Sequence, residues 1–293
     1  MSPRFGRVIT AMVTPFDESG ALDLDAAAVL ADWLVNNGSD GLVLCGTTGE
    51  SPVLSDSEEV AFTRAVRAAV GVPLLLGTGS NDTSYAVEAT RRAADLGVDG
   101  VLIVTPYYNR PPQSGLDAHF RAVAAVTDLP IVLYDIPGRT GRKISTDLLV
   151  RLMGEVTNIV ALKDAAGDPA ETAAFIARVN DDIEVYSGDD ALTLPLLSVG
   201  AVGAISVASH WIGRQLGEMI NAFEKGDVVS AQRINASLIE SYEFESGDEA
   251  PNPIPTKAML RVLGLPVGQC RPPMGPAPEW VETEARRVLA GLA

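Results

Sequence analysis

The stretch Ile159-Val160-Ala161-Leu162-Lys163-Asp164-Ala165-Ala166-Gly167 joins a short apolar run to a turn, and a helical pattern follows it over Pro169–Val179. The apolar run predicts a buried strand at Ile159–Leu162. Asp168 before a proline, with Glu171 in the first turn, predicts a capped helix start. The stretch therefore predicts one unit in which a buried strand is followed by a helix.

The same unit recurs along the whole chain. The other predicted strands are Val8–Val13, Gly41–Cys45, Pro73–Leu76, Gly100–Val104, Pro130–Tyr134, Ile183–Tyr186 and Ala201–Val207. The other predicted helices between them are Leu22–Asn36, Ser57–Val70, Ser84–Leu96, Leu116–Val126 and Thr146–Met153, the second of them capped by Asp56 or Ser57. Strands that are apolar along their whole length and alternate with helices indicate a parallel sheet covered by helices. Eight such units in 293 residues predict an α/β protein with a closed (β/α)8 TIM barrel.

The pattern changes after Val207, where helical periodicity continues without any strand signal. The helices predicted there are Gly213–Lys225, Asp227–Glu243, Pro253–Leu263 and Glu279–Leu292. We therefore predict a barrel domain carrying the active site over residues 1–212 and a C-terminal helical domain over residues 213–293. The segment after Leu265 follows no pattern that predicts a structure.

The composition excludes several classes of partner. With 22 basic against 38 acidic residues, the formal charge is −16. A field of that sign repels nucleic acid and anionic membranes, so neither is a predicted partner. No apolar run approaches the roughly 20 residues of a membrane span, and the N-terminus lacks the apolar stretch of a signal peptide. Cys45 lies in an apolar run typical of a reduced, buried thiol, and we expect a cytoplasmic protein.

Lys163 is the most informative residue for function. It follows a buried strand, whereas the other three lysines, Lys143, Lys225 and Lys257, are predicted in polar, solvated positions. Partial burial disfavours the ammonium form and lowers the pKa of a lysine. Because a neutral amine attacks carbonyl groups, Lys163 is a candidate Schiff-base lysine. A lysine that extends to solvent or pairs with Asp164 remains the alternative.

Barrel active sites lie at the C-terminal ends of the strands. The polar residues that follow the predicted strands are Thr47, Thr48, Thr78, Tyr107, Tyr108, Tyr134, Arg139, Lys163, Ser187 and Ser206. One amine, several hydroxyl groups and one guanidinium would then face a common mouth. That set suits carbonyl chemistry on a small acid.

Six motifs at these strand ends share one order and spacing. They are GTTGES at 46–51, VTPYYN at 104–109, YDIPGRTG at 134–141, LKDAAG at 162–167, YSGDD at 186–190 and GAISV at 203–207, with PNPIPTK at 251–257 beyond them. With these motifs the chain resembles the dihydrodipicolinate synthase branch of the class I pyruvate-dependent aldolase family, from near residue 8 to about residue 265. The resemblance implies a (β/α)8 barrel with a C-terminal helical domain, in a homotetramer built from two tight dimers. It implies a lyase of diaminopimelate and lysine biosynthesis that condenses pyruvate with L-aspartate 4-semialdehyde and uses neither cofactor nor metal.

The resemblance also assigns roles to individual positions. Lys163 would condense with pyruvate, and Tyr134 would donate and accept the protons, its hydroxyl poised by Thr47. Tyr108 would complete this relay by reaching into the site of the dimer partner. The substrate-binding positions implied by the family pattern are Thr48 for the pyruvate carboxylate, Arg139 for the carboxylate of the second substrate, and Gly188 and Ile205 as pocket lining.

Three alternatives remain: one from the same family and two from other classes. A sister enzyme such as N-acetylneuraminate lyase or a keto-deoxy-sugar acid aldolase would share Lys163 and Tyr134, but Thr47-Thr48 and Arg139 favour the synthase. A metal-dependent aldolase would need clustered ligands, whereas only His119 and His210 are present and His119 is predicted on a helix surface. A catalytically inactive pyruvate-binding protein would not need every chemical position to be filled.

Regulation is the point at which the chain departs from the family pattern. Members inhibited by lysine use two histidines and a glutamate, and this chain carries Asp56, Glu59 and Tyr85 at those positions. The missing glutamate is the partner expected for the α-ammonium group of lysine. We therefore expect weak or absent feedback by lysine.

Overall fold

The computed structural model describes residues 3–292, and its eight strands form a closed parallel barrel in the order β1 to β8. The strands are β1 Val8–Ala11, β2 Gly41–Leu44, β3 Leu74–Gly77, β4 Gly100–Val104, β5 Ile131–Asp135, β6 Ile159–Asp164, β7 Glu184–Ser187 and β8 Gly203–Ser206. The predicted (β/α)8 barrel is confirmed.

Twelve α-helices are present among the described residues. They are α1 Leu24–Asn36, α2 Asp56–Ala69, α3 Thr83–Ala93, α4 Gln113–Ala124, α5 Pro137–Thr140, α6 Thr146–Glu155, α7 Pro169–Ile176, α8 Thr193–Ser198, α9 Ser209–Glu224, α10 Val228–Glu245, α11 Ile254–Val262 and α12 Glu279–Leu292. In this part of the chain, no helix combines the length and the apolar character that crossing a membrane requires.

Two local predictions are wrong in detail. Strand β6 continues through Lys163 and Asp164, so Lys163 lies within the strand instead of after it. The cap of α2 is Ser55, not Asp56 or Ser57. The Ser55 hydroxyl accepts from the backbone N–H of Glu58, whose carboxylate accepts from the backbone N–H of Ser55, and this reciprocal capping box fixes the helix start.

The described chain divides into two compact units. One contains residues 3–6 and 73–205, and the other contains residues 7–72 and 206–292. In the first unit, β4, β5 and β6 pair in parallel register, with Leu133 opposite Leu162 and Tyr134 opposite Lys163. In the second unit, β1 pairs with β2, and Thr10 lies opposite Leu42. The boundary predicted between residues 212 and 213 stays a prediction.

Four helices of the second unit, α9 to α12, share one apolar core. Its buried members are Ala208, Trp211, Ile212, Leu238, Tyr242, Met259, Ala285 and Val288. The indole N–H of Trp211 donates to the Ser241 hydroxyl at 3.0 Å, so the one polar atom of this large side chain is satisfied. The helices predicted after Val207 are thus present and packed together.

The segment after Leu265, which followed no readable pattern, has a defined path within the second unit. The backbone N–H of Phe16 donates to the Val267 carbonyl at 3.2 Å. Gly268 has φ +64°, and a Cβ there would lie 1.9 Å from the Phe16 carbonyl oxygen, so only glycine fits. The Arg271 guanidinium lies 4.1 Å from the centroid of the Phe16 ring and pairs with Glu58 at 2.5 Å. This segment is held in place by contacts of individual residues and not by a repeated apolar face. Its sequence therefore shows no periodicity from which a helix or strand could be predicted.

Candidate active site

Lys163 and Tyr134 lie side by side on neighbouring strands. The two residues are register partners of β6 and β5, and both side chains are buried, with Lys163 5 % exposed. The Nζ atom of Lys163 lies 4.2 Å from the centroid of the Tyr134 ring. The structure therefore brings together the predicted nucleophile and the predicted proton-transfer residue.

The side chain of Asp164 lies on the opposite face of β6 from that of Lys163. Successive side chains of a strand point to opposite faces. The Asp164 carboxylate accepts from the backbone N–H of Ala166 at 2.9 Å and from the Thr172 hydroxyl of α7 at 2.5 Å. Asp164 thus helps to anchor α7 behind the strand.

Gly188 makes room for the Lys163 side chain. A Cβ at Gly188 would lie 2.9 Å from both Cγ and Cε of Lys163 and 3.1 Å from the Cβ of Ala165. The backbone N–H of Gly188 donates to the Asp164 carbonyl at 2.7 Å, which holds this close approach. Ile205, the other predicted lining residue, is buried in β8. Any residue larger than glycine at position 188 would displace the amine.

The loops after β4 and β5 carry Tyr108 and Arg139. Tyr108 is 89 % exposed and has φ +71°, unusual for a residue with a side chain. Its backbone N–H donates to the Thr140 carbonyl at 3.2 Å, which ties the two loops together. Arg139 is exposed in the short helix α5. Both predicted residues therefore lie on linked loops of the first unit, with their side chains available to a ligand or a partner.

Thr47 and Thr48 lie in the second unit, in the turn that follows β2. The turn is bounded by Cys45 and Glu50, whose φ values of +53° and +57° are in the left-handed region. Thr47 is exposed, whereas Thr48 is buried. The Thr48 hydroxyl accepts a hydrogen bond from the side-chain amide of Asn252 at 2.9 Å. Asn252 belongs to the PNPIPTK motif, to which the sequence assigned no chemical role.

Lys257 corrects the prediction that it is solvated. It is 0 % exposed, and its Nζ atom lies 2.6 Å from Oε1 of Glu50 and 4.1 Å from the centroid of the Phe16 ring. Nζ also donates to the Gln269 carbonyl at 3.1 Å. Burial lowers the pKa of Lys257, and the neighbouring carboxylate of Glu50 opposes that effect. No residue near Lys257 in the sequence indicates this burial, because its partner Glu50 is distant along the chain.

The other two lysines, Lys143 and Lys225, are less buried than Lys257. Lys143, also predicted in solvent, is half-buried and lies 3.2 Å from Asp135 and 3.3 Å from Glu171. Asp135 directly follows Tyr134, and burial raises its pKa to about 6. Lys225 is exposed, as predicted. The chain thus has two deeply buried lysines, and only Lys163 is placed at a barrel strand end beside a tyrosine.

The prediction that His119 lies on a helix surface is also wrong. Its side chain is buried, Nδ1 lies 2.9 Å from the Thr83 hydroxyl, and its ring packs edge-on against Phe120. His210 is buried as well, and its Nε2 accepts from the backbone N–H of Val13 at 3.2 Å. Burial lowers the pKa of each histidine to about 4. Across residues 3–292, no group of three or more histidine, cysteine, aspartate and glutamate side chains is arranged to hold a metal ion.

The model of the Dihydrodipicolinate synthetase family matches residues 4–291. This chain belongs to that family. Two relatives named 4-hydroxy-tetrahydrodipicolinate synthase illustrate the match. The one from Synechococcus sp. (strain CC9902) is 51 % identical over 100 % of this chain and 97 % of its own, and the one from Thermosynechococcus vestitus is 48 % identical over 98 % and 97 %.

Crystal structures of family members have the same fold as this chain. The structure of the enzyme from Cyanidioschyzon merolae with lysine bound superposes with a TM-score of 0.96 at 46 % identity, covering 99 % of both chains. The chloride-inhibited enzyme from Acinetobacter baumannii complexed with pyruvate gives a TM-score of 0.92 at 36 % identity, covering 98 % of both. The predicted family, fold and activity, that of a 4-hydroxy-tetrahydrodipicolinate synthase, are confirmed.

Proposed function

We propose that this member of the dihydrodipicolinate synthetase family condenses pyruvate with L-aspartate 4-semialdehyde through a Schiff base on Lys163, as a step of diaminopimelate and lysine biosynthesis. The observation that carries the proposal is the buried Lys163 amine lying over the Tyr134 ring at adjoining strands of the barrel. An amine in that position can attack a carbonyl group, and a phenol beside it can move the protons that the attack requires.

The chemistry follows from the amine. Nζ of Lys163 attacks C2 of pyruvate, and loss of water from the adduct leaves a protonated imine. The imine withdraws electrons, so the pyruvate methyl loses a proton and becomes an enamine carbon. That carbon attacks the aldehyde of L-aspartate 4-semialdehyde. The amino group of this substrate then displaces Lys163 from the imine carbon, which closes the ring and frees the lysine.

Proton transfer is assigned to Tyr134, Thr47 and Tyr108. A free phenol is a weak base at neutral pH. A chain of hydroxyl groups that passes a proton along without leaving a full charge on any member avoids this difficulty. The 89 % exposure of Tyr108 supports a role outside its own chain, because an aromatic side chain is rarely left so open. We assign Tyr108 to the relay of a partner subunit.

Two residues are assigned to the substrate carboxylates. The Thr48 hydroxyl and nearby backbone N–H groups are proposed to hold the carboxylate of pyruvate. Arg139, which is exposed in α5, is proposed to bind the carboxylate of the second substrate, because a guanidinium fork matches a carboxylate geometrically. Arg139 would also offset locally the formal charge of −16, which repels anions.

The proposal is tested by incubating the protein with pyruvate and borohydride and then measuring intact mass and mapping peptides. We expect one reduced pyruvate adduct, on Lys163. Lys163→Ala should lose both the adduct and turnover while remaining folded, whereas the matched Lys225→Ala, at an exposed lysine, should keep both. An adduct on another lysine, or turnover by folded Lys163→Ala, would refute the mechanism. Turnover of sialate instead of L-aspartate 4-semialdehyde would assign the chain to a sister activity.

The assembly and the cellular location are further proposals. We propose a homotetramer made of two dimers, with Tyr108 crossing the dimer interface; sedimentation of the purified protein at micromolar concentration tests the tetramer. We also propose a cytoplasmic protein, in keeping with Cys45 and Cys270, which are free, buried thiols. The division into a barrel over residues 1–212 and helices over residues 213–293 is retained as a proposal.

A further inference from the structure

We propose that Asn252 is a positioning residue for pyruvate: it makes the Thr48 hydroxyl a donor toward the substrate carboxylate. The inference rests on the proposed function, in which Thr48 binds that carboxylate. It adds a residue of the C-terminal part of the chain to the substrate-binding machinery.

Three side chains of the second unit, those of Thr256, Asn252 and Thr48, are joined by consecutive hydrogen bonds. The Thr256 hydroxyl donates to Oδ1 of Asn252 at 2.9 Å, and Nδ2 of Asn252 donates to Oγ1 of Thr48 at 2.9 Å. An amide has distinct donor and acceptor ends, whereas a hydroxyl can act as either. In the observed arrangement Asn252 presents its donor end, Nδ2, to Thr48 and its acceptor end, Oδ1, to Thr256.

The hydrogen bond from Asn252 leaves the O–H of Thr48 available as a donor. Since Oγ1 of Thr48 accepts from Asn252, its own O–H is left to donate elsewhere. A carboxylate is an acceptor only, so a hydroxyl already committed as a donor toward it loses less rotational freedom on binding. With the opposite amide orientation, Thr48 would donate to Asn252 and present lone pairs to an anion.

The three hydrogen-bonded side chains are buried, which restrains the orientation of the Asn252 amide. Thr48, Asn252 and Thr256 are all buried, which makes an unsatisfied polar atom costly. Nζ of Lys257 also lies 2.6 Å from Oε1 of Glu50, which is only two residues after Thr48. Helix α11 and the residue preceding its cap therefore hold the Thr48 turn at two points, one neutral and one ionic.

The decisive variant is Asn252→Asp, which keeps the shape but replaces the donating amide with an acceptor. The Thr48 hydroxyl would then donate its hydrogen bond to the carboxylate at position 252, and its O–H would no longer be available to the substrate. We expect the KM for pyruvate, and the pyruvate concentration for half-maximal borohydride trapping, to rise at least tenfold. The kcat and the KM for L-aspartate 4-semialdehyde should stay within about twofold.

A double-variant cycle separates orientation from added negative charge. In the Thr48→Val background no hydroxyl remains to be oriented, so adding Asn252→Asp should change the KM for pyruvate less than twofold. A full tenfold effect in that background would show simple charge repulsion and overturn the proposal. An unchanged KM in folded Asn252→Asp would overturn it too.

If Asn252→Asp does not fold, Thr256→Val decides, with Thr256→Ser as its matched control. Thr256→Val removes the hydroxyl that donates to Oδ1 of Asn252, which leaves that buried oxygen without this partner and frees the amide to turn. The KM for pyruvate should then rise at least threefold, while Thr256→Ser should behave as the parent protein. Equal KM values for both would refute the inference. If the parent protein itself forms no reduced pyruvate adduct on Lys163, the proposed function is refuted. That result is distinct from equal KM values for the Thr256 variants, which would refute only the role of Asn252.

Discussion

At the scale of single residues, the two buried lysines differ in what surrounds their amines. Lys257 is the more deeply buried, but its amine is held by the Glu50 carboxylate and the Gln269 carbonyl. Lys163 lies on a barrel strand beside Tyr134, where Gly188 leaves space for its side chain. Lys257 is therefore engaged with Glu50 and Gln269, and Lys163 is the lysine that we propose to react with pyruvate.

Breaking the buried ion pair should destabilise the protein strongly. Lys257→Met leaves the Glu50 carboxylate buried without its partner, so we expect the free energy of unfolding to fall by about 3–5 kcal/mol, measured by urea denaturation. Glu50→Gln combined with Lys257→Met should be less destabilised than Lys257→Met alone, since no charge is then left unpaired. The matched change at an exposed lysine, Lys225→Met, should alter stability by less than about 0.5 kcal/mol. A loss at Lys257 as small as that at Lys225 would contradict the structural role.

At the scale of elements, the start of α2 depends on one hydroxyl. Ser55 caps the helix, and Glu58 both completes the capping box and pairs with Arg271 of the late segment. The hydrogen bond from Arg271 is the main reason why the pKa of Glu58 falls to about 2. One helix terminus thus joins the turn after β2 to the segment beyond Leu265.

Removing the cap should weaken this element measurably. Ser55→Ala should lower the free energy of unfolding by about 1 kcal/mol, because the Glu58 backbone N–H loses its acceptor. Ser57→Ala, in the first turn of the same helix, should cost less than about half as much. Thermal unfolding of the two variants compares them directly, and equal losses would show that Ser55 is not the dominant cap.

At the scale of the whole molecule, the buried histidines link stability to pH. The pKa values of His119 and His210 lie near 4 in the folded chain, below the unperturbed value of 6.5. The unfolded chain therefore binds protons first, and this contribution to stability is complete above pH 6.5 and is lost as the pH falls toward 4. Asp135, with a raised pKa of about 6, has the opposite effect below pH 6 and offsets one histidine.

We therefore expect the free energy of unfolding to decrease between pH 6.5 and pH 4, by up to about 1.4 kcal/mol per pH unit for the one histidine that is not offset. Urea denaturation at pH 7 and pH 5 measures this slope. His119→Gln should flatten it and Asp135→Asn should steepen it. A stability that is constant or rises on acidification would contradict the burial of the neutral histidines.

Sensitivity to lysine is a further expectation at this scale. Asp56, Glu59 and Tyr85 replace the two histidines and the glutamate that the family pattern associates with lysine inhibition. The C. merolae enzyme, similar over 99 % of this chain, has been crystallised with lysine bound. For this chain we expect little inhibition of initial rates by millimolar lysine, and inhibition at low lysine concentration would show the prediction to be wrong. Tyr85→Glu, which restores the carboxylate, should increase sensitivity.

The sequence by itself determined the barrel and singled out Lys163 as the candidate Schiff-base lysine. A parallel strand that is buried on both faces appears in the sequence as a continuous apolar run, as at Ile159–Leu162, whereas a helix shows apolar residues with a period of three to four residues. The eight strand–helix repeats can therefore be predicted from short stretches of sequence. Lys163 stood out because a lysine beside such a run is out of place. The strand-end rule then selected Tyr134, Thr48 and Arg139 without any contact being known.

Only the tertiary structure decided the burial of Lys257 and His119, and the contact of Asn252 with Thr48. Each of these depends on a partner far along the chain: Glu50 for Lys257, Thr83 for His119, and Thr48 for Asn252. A charged or polar side chain reads as solvated when only its neighbours in sequence are considered. Whether it is buried depends on long-range packing and on a complementary group to satisfy it, and neither leaves a periodic signal in the sequence.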